Sequence, residues 1–197
     1  MKLFFVAAIA YLLGSFCAAI PITKRIYGDD VRNHGSGNAG ATNVARVFGL
    51  KAGLLTLAAD AAKAIAAMLI GGALAGDAGQ ALAGAVCITG HCFPIYFGFR
   101  GGKGVSVGVA LGLMCGWRVL LGIIVVFFTV AVLSRKVSLG SVCAAASLPV
   151  FALIFRLEPC MLAMCIFSGL LVIFMHRSNI KRLINGTEAD FKPKTDR

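Results

Sequence analysis

The sequence predicts an all-α polytopic membrane protein with seven transmembrane helices, its N-terminus outside and its C-terminus cytoplasmic. Three observations carry that expectation. Hydrophobic residues make up 59% of the 197-residue chain and charged residues only 14%, whereas soluble proteins carry about 25% charged residues. Apart from Asp60 and Lys63, the charges lie between long apolar runs rather than among them. Lys and Arg are also divided unequally between the two sets of connections. The length suits one domain, residues 1–197.

A bilayer core of about 30 Å needs about 20 apolar residues at a helical rise of about 1.5 Å. Residues 3–23, between Lys2 and Lys24, meet that length and are too long for the apolar core of a signal peptide. Residues 52–76 form the second span and carry Asp60 and Lys63, spaced to pair on one helix face. Residues 78–99 form the third, between Asp77 and Arg100. The stretch 104–117 would span only ~21 Å as a helix and is expected to be a short or broken fourth span. Its glycines at 104, 108, 112 and 116 lay a strip of bare backbone along one face for close helix approach. Residues 119–134, 137–155 and 159–176 complete the set.

One side of this arrangement collects fifteen Lys and Arg residues, among them Lys192, Lys194 and Arg197 of the tail. The other collects Lys2, Arg118 and Arg156. By the positive-inside rule the basic side is cytoplasmic. The formal net charge of +11 is therefore expected to face anionic headgroups or anionic small substrates, not nucleic acid. Seven scattered Cys without a C-x-x-C pair read as small packing residues, not as disulfides or a zinc site.

Three polar segments fall on the basic side. Residues 28–46 hold four glycines with Ser36, Asn38, Thr42, Asn43, Arg32 and Arg46. Such a stretch can turn successive backbone N–H groups into an anion-binding nest. Residues 90–104 place His91 near a span end and Lys103 in a Gly-rich turn with Gly101 and Gly102, opening the next helix. That arrangement suits phosphate at a helix N-terminus, but it lacks the Walker A spacing of nucleotide triphosphatases. Residues 176–188 put His176, Asn179 and Arg182 on one helix face at the membrane boundary. Ser36 does not sit in a G-x-S-x-G elbow, because His34 stands two residues before it, no H-E-x-x-H or H-x-x-x-x-D pattern occurs, and no acid cluster beside His or Cys supports metal hydrolysis.

Read in order, G-x-D-x-R-x-x-G-S-G-N-x-G-A-T-N-x-x-R, G-H-x-F-P…F-x-G-G-K-G-V and H-R-x-N-I-x-R-L-x-x-G-x-E resemble the bacterial acyl-phosphate:glycerol-3-phosphate acyltransferases, the PlsY family. The signatures Asp60-x-x-Lys63 and Ser138 to Ser141 fit as well, so the likeness covers nearly the whole chain. The resemblance implies an inner-membrane enzyme that moves a fatty acyl group from acyl phosphate to the 1-hydroxyl of glycerol 3-phosphate. Lysophosphatidic acid and inorganic phosphate would be the products, in the first step of phospholipid biosynthesis, without cofactor or metal. It implies Ser36, Arg46, Lys103, His176 and Asn179 as the activity-bearing residues. Gly37, Asn38, Gly40, Thr42, Asn43, Gly101, Gly102 and Ser141 are expected to bind substrate. The alternative class is a transporter of a phosphorylated metabolite. It is disfavoured because the polar residues gather on one face and no internal repeat is present.

Overall fold

A computed structural model describes residues 1–190. The basic residues Lys192, Lys194 and Arg197 lie outside the described residues. Nine α-helices and no strand are found among the described residues: α1 (Lys2–Ser15), α2 (Ala19–Tyr27), α3 (Ala41–Phe48), α4 (Leu50–Cys92), α5 (Val105–Met114), α6 (Trp117–Ser134), α7 (Val137–Ile154), α8 (Pro159–Met175) and α9 (Arg177–Ile184). Two short 3-10 turns, Val31–Asn33 and Ile95–Phe97, sit in the polar connections.

Four helical segments among the described residues are long and apolar enough to cross a membrane. A fifth is counted if α8 and α9, bent 58° apart, form one broken span. An all-α integral membrane protein follows, since only helices with internally paired backbones satisfy their polar groups in a bilayer without closing a barrel.

Several elements differ from their sequence outlines. The first apolar run is not one helix: it breaks after Ser15, where Phe16 leaves helical geometry at φ −73° and ψ 92°. Groups freed by this break are met by Lys63 and Asp60, which makes the break tolerable at depth. The runs 52–76 and 78–99 form a single 43-residue element, α4. A straight helix of that length would reach ~64 Å, twice the bilayer core. It folds back at Ala75 and Gly76, with Gly76 at φ 61° and ψ −154°, a backbone state open to glycine. Gly71 then packs on the backbone of Gly79, and Met68 lies over Gly84, so the two halves run antiparallel. The run 104–117 yields only the ten-residue α5, ~15 Å long and too short to span alone.

Small residues set the packing. Gly14 of α1 rests on the Cys87 backbone, Gly140 of α7 on α6 at Phe127 and Ala131, and Gly169 of α8 on Ala145 of α7. The resulting buried core joins Val6, Met68, Ile88, Leu111 and Cys165. All seven cysteines are free. Large apolar side chains such as Phe4, Leu121, Phe128, Leu133 and Leu170 point outward, as lipid-facing residues do.

Candidate active site

The polar connections meet at one end of the bundle around a cavity of about 620 Å³. First-turn residues of three helices line it: Ala41, Thr42 and Asn43 of α3, Val105 and Ser106 of α5, and Val137 and Ser138 of α7. Amides in a first helical turn have no intrahelical acceptor and carry the positive end of the helix dipole. Their convergence makes a site for anions before any side chain is counted.

The loop before α3 is held in place by Asn43, which is 2% exposed. Its Nδ2 donates to the carbonyls of His34 at 3.0 Å, Asn38 at 3.1 Å and Val31 at 3.2 Å, while its Oδ1 accepts from the Ser36 N–H at 2.9 Å. Asn43 therefore organises the nest that the sequence suggests. Arg32 bridges this loop to the next, donating to Asp30 at 2.8 and 3.0 Å and to the Phe97 carbonyl at 3.1 Å. The guanidinium beside Asp30 outweighs partial burial and holds that carboxyl at about 2. Arg46, one turn beyond Asn43, lines the cavity and makes no ion pair among the described residues.

Lys103 enters from the Gly-rich turn, whose last residue Gly104 caps α5 at φ 87°, in the left-handed region. Its ammonium donates to Asn179 Oδ1. Asn179 Nδ2 in turn donates to Glu188 Oε1 at 2.7 Å, and Arg182 Nε donates to Glu188 Oε2 at 2.6 Å. Lys136 anchors the same tail segment through Asp190 at 2.8 Å and the Glu188 carbonyl. Burial, with Arg182, Arg46 and Arg177 nearby, brings Lys103 down to about 8 although Glu188 opposes the shift. Burial raises Glu188, but Ser138, Asn179 and Arg182 around it outweigh burial and keep it below the usual carboxylate range. His176 is 4% exposed, and its Nδ1 lies 2.8 Å from the Val172 carbonyl. A carbonyl only accepts, so the ring proton belongs on Nδ1 and the Nε2 lone pair is free.

Ser36, Asn38, Gly40, Thr42, Asn43, Arg46, Lys103, Ser141, His176 and Asn179 all line this cavity. Gly37 lies outside its wall, and so do Gly101 and Gly102, which pack on His91 instead. Sequence reasoning did not single out Glu188, which links Asn179 to Arg182. Its only signal was its place at the end of the third motif. Ser138, Ser106 and His91 also line the wall. A second, apolar cavity of about 270 Å³ adjoins the first and shares Leu57, Val105, Phe127 and Ser141 with it. It runs between α5, α6, α7 and α8 past Ile88, Gly108, Ile123, Ala144, Leu148 and Val172. No group of three or more His, Cys, Asp or Glu able to hold a metal occurs among the described residues.

The family model for glycerol-3-phosphate acyltransferase matches residues 4–186. The chain belongs to this family. A glycerol-3-phosphate acyltransferase of Syntrophotalea carbinolica is 43% identical over 93% of this chain and 94% of its own. One from Clostridioides difficile is 39% identical over 97% and 96%. Two crystal structures of PlsY (YgiH), an integral membrane glycerol 3-phosphate acyltransferase, superpose on the chain. The glycerol 3-phosphate form has a TM-score of 0.87 at 35% identity and the lysophosphatidic acid form 0.90 at 34%, each covering 98% of this chain and 96% of the other.

Proposed function

We propose that this protein transfers a fatty acyl group from acyl phosphate to the 1-hydroxyl of glycerol 3-phosphate, releasing lysophosphatidic acid and inorganic phosphate. The observation that carries this reading is the junction of the two cavities. A cationic chamber with three helix N-termini suits two phosphates, and the apolar branch that opens from it suits an acyl chain.

In this reading Lys103, Arg46 and Ser36 hold the phosphate of glycerol 3-phosphate. Asn38, Gly40 and Thr42, with Ser141, receive the acyl phosphate, whereas the Gly37 N–H is taken by the His34 carbonyl at 3.0 Å. The acyl chain lies along Phe127, Val105 and Ile123. The hydroxyl oxygen attacks the acyl carbonyl carbon. A carbon–oxygen ester bond forms, and the bond from that carbon to the phosphate oxygen breaks. The hydroxyl proton passes to His176 Nε2, which the Val172 contact leaves as the ring's acceptor. It then leaves with the phosphate. Acyl phosphate is already activated, so the protein's work is positioning and charge stabilisation.

The same reading adopts seven spans with an external N-terminus. Helix α1 with α2, the two halves of α4, the short α5, and α6, α7 and α8 would be the seven. The cavity would then open on the cytoplasmic face of the inner membrane, where the fifteen basic residues gather. The decisive assay mixes purified protein with palmitoyl phosphate and glycerol 3-phosphate. Lysophosphatidic acid forms only when both are present, and acyl-CoA does not replace the acyl phosphate. Absence of product, or equal use of acyl-CoA, would defeat the reading.

A further inference from the structure

A second charged cluster lies beneath the Gly-rich turn. Asp60 and Lys63 leave one face of α4 and pair at 2.8 Å, with Asp60 fully buried. Charges at such depth are costly, and pairing alone rarely offsets their desolvation. Lys63 has three more partners: the carbonyls of Phe16 at 2.6 Å and Gly14 at 3.0 Å, and His91 Nδ1 at 3.0 Å. Asp60 Oδ1 lies 3.4 Å from the Ala18 N–H and accepts from it. The two carbonyls belong to the end of α1 and the N–H to the start of α2, so the pair complements both ends of the broken helix.

His91 carries this arrangement upward. Its Nδ1 lies 3.0 Å from Lys63 Nζ and 3.6 Å from Asp60 Oδ1, so both members of the pair hold the ring. The His91 carbonyl accepts from the Gly102 N–H at 3.1 Å and from Cys17 Sγ at 3.4 Å. The Nε2 edge of the ring lies against Gly102, and the His91 carbonyl against Gly101, so closely that neither glycine has room for a Cβ. The next residue is Lys103. Both glycines of the turn are therefore seated on one histidine, and that histidine is fixed by a buried ion pair.

We infer that Asp60, Lys63 and His91 form a positioning unit that sets the depth of Lys103 in the cavity, acting through the contact between the His91 ring and Gly102. This rests on the reading that Lys103 binds the phosphate of glycerol 3-phosphate. Asp60 and Lys63 act on Lys103 from beneath the turn, and a buried pair that served folding alone would leave the kinetics of correctly folded enzyme unchanged.

The test compares wild type with Asp60→Asn, Lys63→Met, Gly102→Ala and the double variant His91→Ala/Gly102→Ala. Each is purified as a monodisperse peak, and rates are normalised to folded protein. Asp60→Asn and Lys63→Met are expected to raise KM for glycerol 3-phosphate about tenfold, and Gly102→Ala to cost about a hundredfold in kcat/KM, the scale of a displaced catalytic contact. Removing the ring makes room for the new methyl group, so the double variant should recover about tenfold over Gly102→Ala alone. Unchanged KM and kcat in folded Asp60→Asn and Lys63→Met would overturn the inference. Should those two fail to fold, the double variant decides: no recovery overturns it and recovery supports it. An inactive wild type would instead defeat the acyltransferase reading itself.

Discussion

Lys103 and Asn179 are joined by a hydrogen bond from ammonium to side-chain carbonyl, although 76 residues separate them. The bond ties the turn before α5 to α9 and fixes the cation at the cavity wall. Asn179 is itself held by Glu188 at 2.7 Å, so the lysine meets an oriented partner. One N–H of the Asn179 amide remains for a substrate oxygen.

Lys103→Ala should keep the fold and lose turnover. The side chain is a phosphate donor in this account, and a hydrogen bond to a charged group contributes about 2 kcal/mol, or about thirtyfold. Because the same cation also faces charge that develops on the departing phosphate, a loss of a hundredfold or more is expected for kcat/KM. Steady-state kinetics on protein with an unchanged melting profile checks this.

The lowered Lys103 value gives a pH dependence with a definite sign. A lysine held at about 8 carries its charge below that pH and loses it above. KM for glycerol 3-phosphate should therefore climb as pH rises from 7 through about 9. Lys103→Arg keeps its charge throughout, so its KM should stay flat over the same range even if its kcat is lower.

Glu188→Gln removes the charge that holds Arg182 and retains the side-chain shape. Activity should fall about tenfold through loss of one charge-assisted contact. The wild-type carboxyl is held below its ordinary value. Its contribution to stability is thus present above the ordinary carboxylate pKa and lost as pH falls through the lowered one. The gap in melting temperature between wild type and Glu188→Gln should accordingly narrow in acid, as measured by thermal unfolding at pH 7 and pH 4.

The apolar cavity gives a prediction on chain length. Gly108 lines it, and a Cβ there would meet open space. Gly108→Leu should fold and occupy the groove. Turnover of palmitoyl phosphate should drop about tenfold, on the scale of one to two buried methylenes lost from contact. Octanoyl phosphate, too short to reach the obstruction, should be used as well as by wild type.

The sequence marked chemistry by contrast: Gly, Asn and Arg in an otherwise apolar chain could not be membrane-buried without purpose. That contrast marked the three polar segments, the family resemblance picked Ser36, Arg46, Lys103, His176 and Asn179 from them, and all five line one cavity. The pairing of Asp60 with Lys63 was legible because it is local. What spacing could not reveal was contact across distant segments. Glu188 closes the third motif in the sequence, but its contacts with Asn179 and Arg182 are visible only in the structure. Gly101 and Gly102 read as phosphate-binding glycines, yet both are small because His91 occupies the space. The break after Ser15 was likewise hidden, since its partners lie more than forty residues away on α4.

The central claim is that two phosphate-bearing molecules occupy the cationic chamber together. Isothermal titration tests it directly: glycerol 3-phosphate is titrated into purified protein, and then into protein already saturated with a non-transferable acyl phosphonate. The account predicts binding in both titrations and loss of glycerol 3-phosphate binding in Lys103→Ala. Mutual exclusion of the two ligands by wild-type protein would mean a single phosphate site and would contradict it.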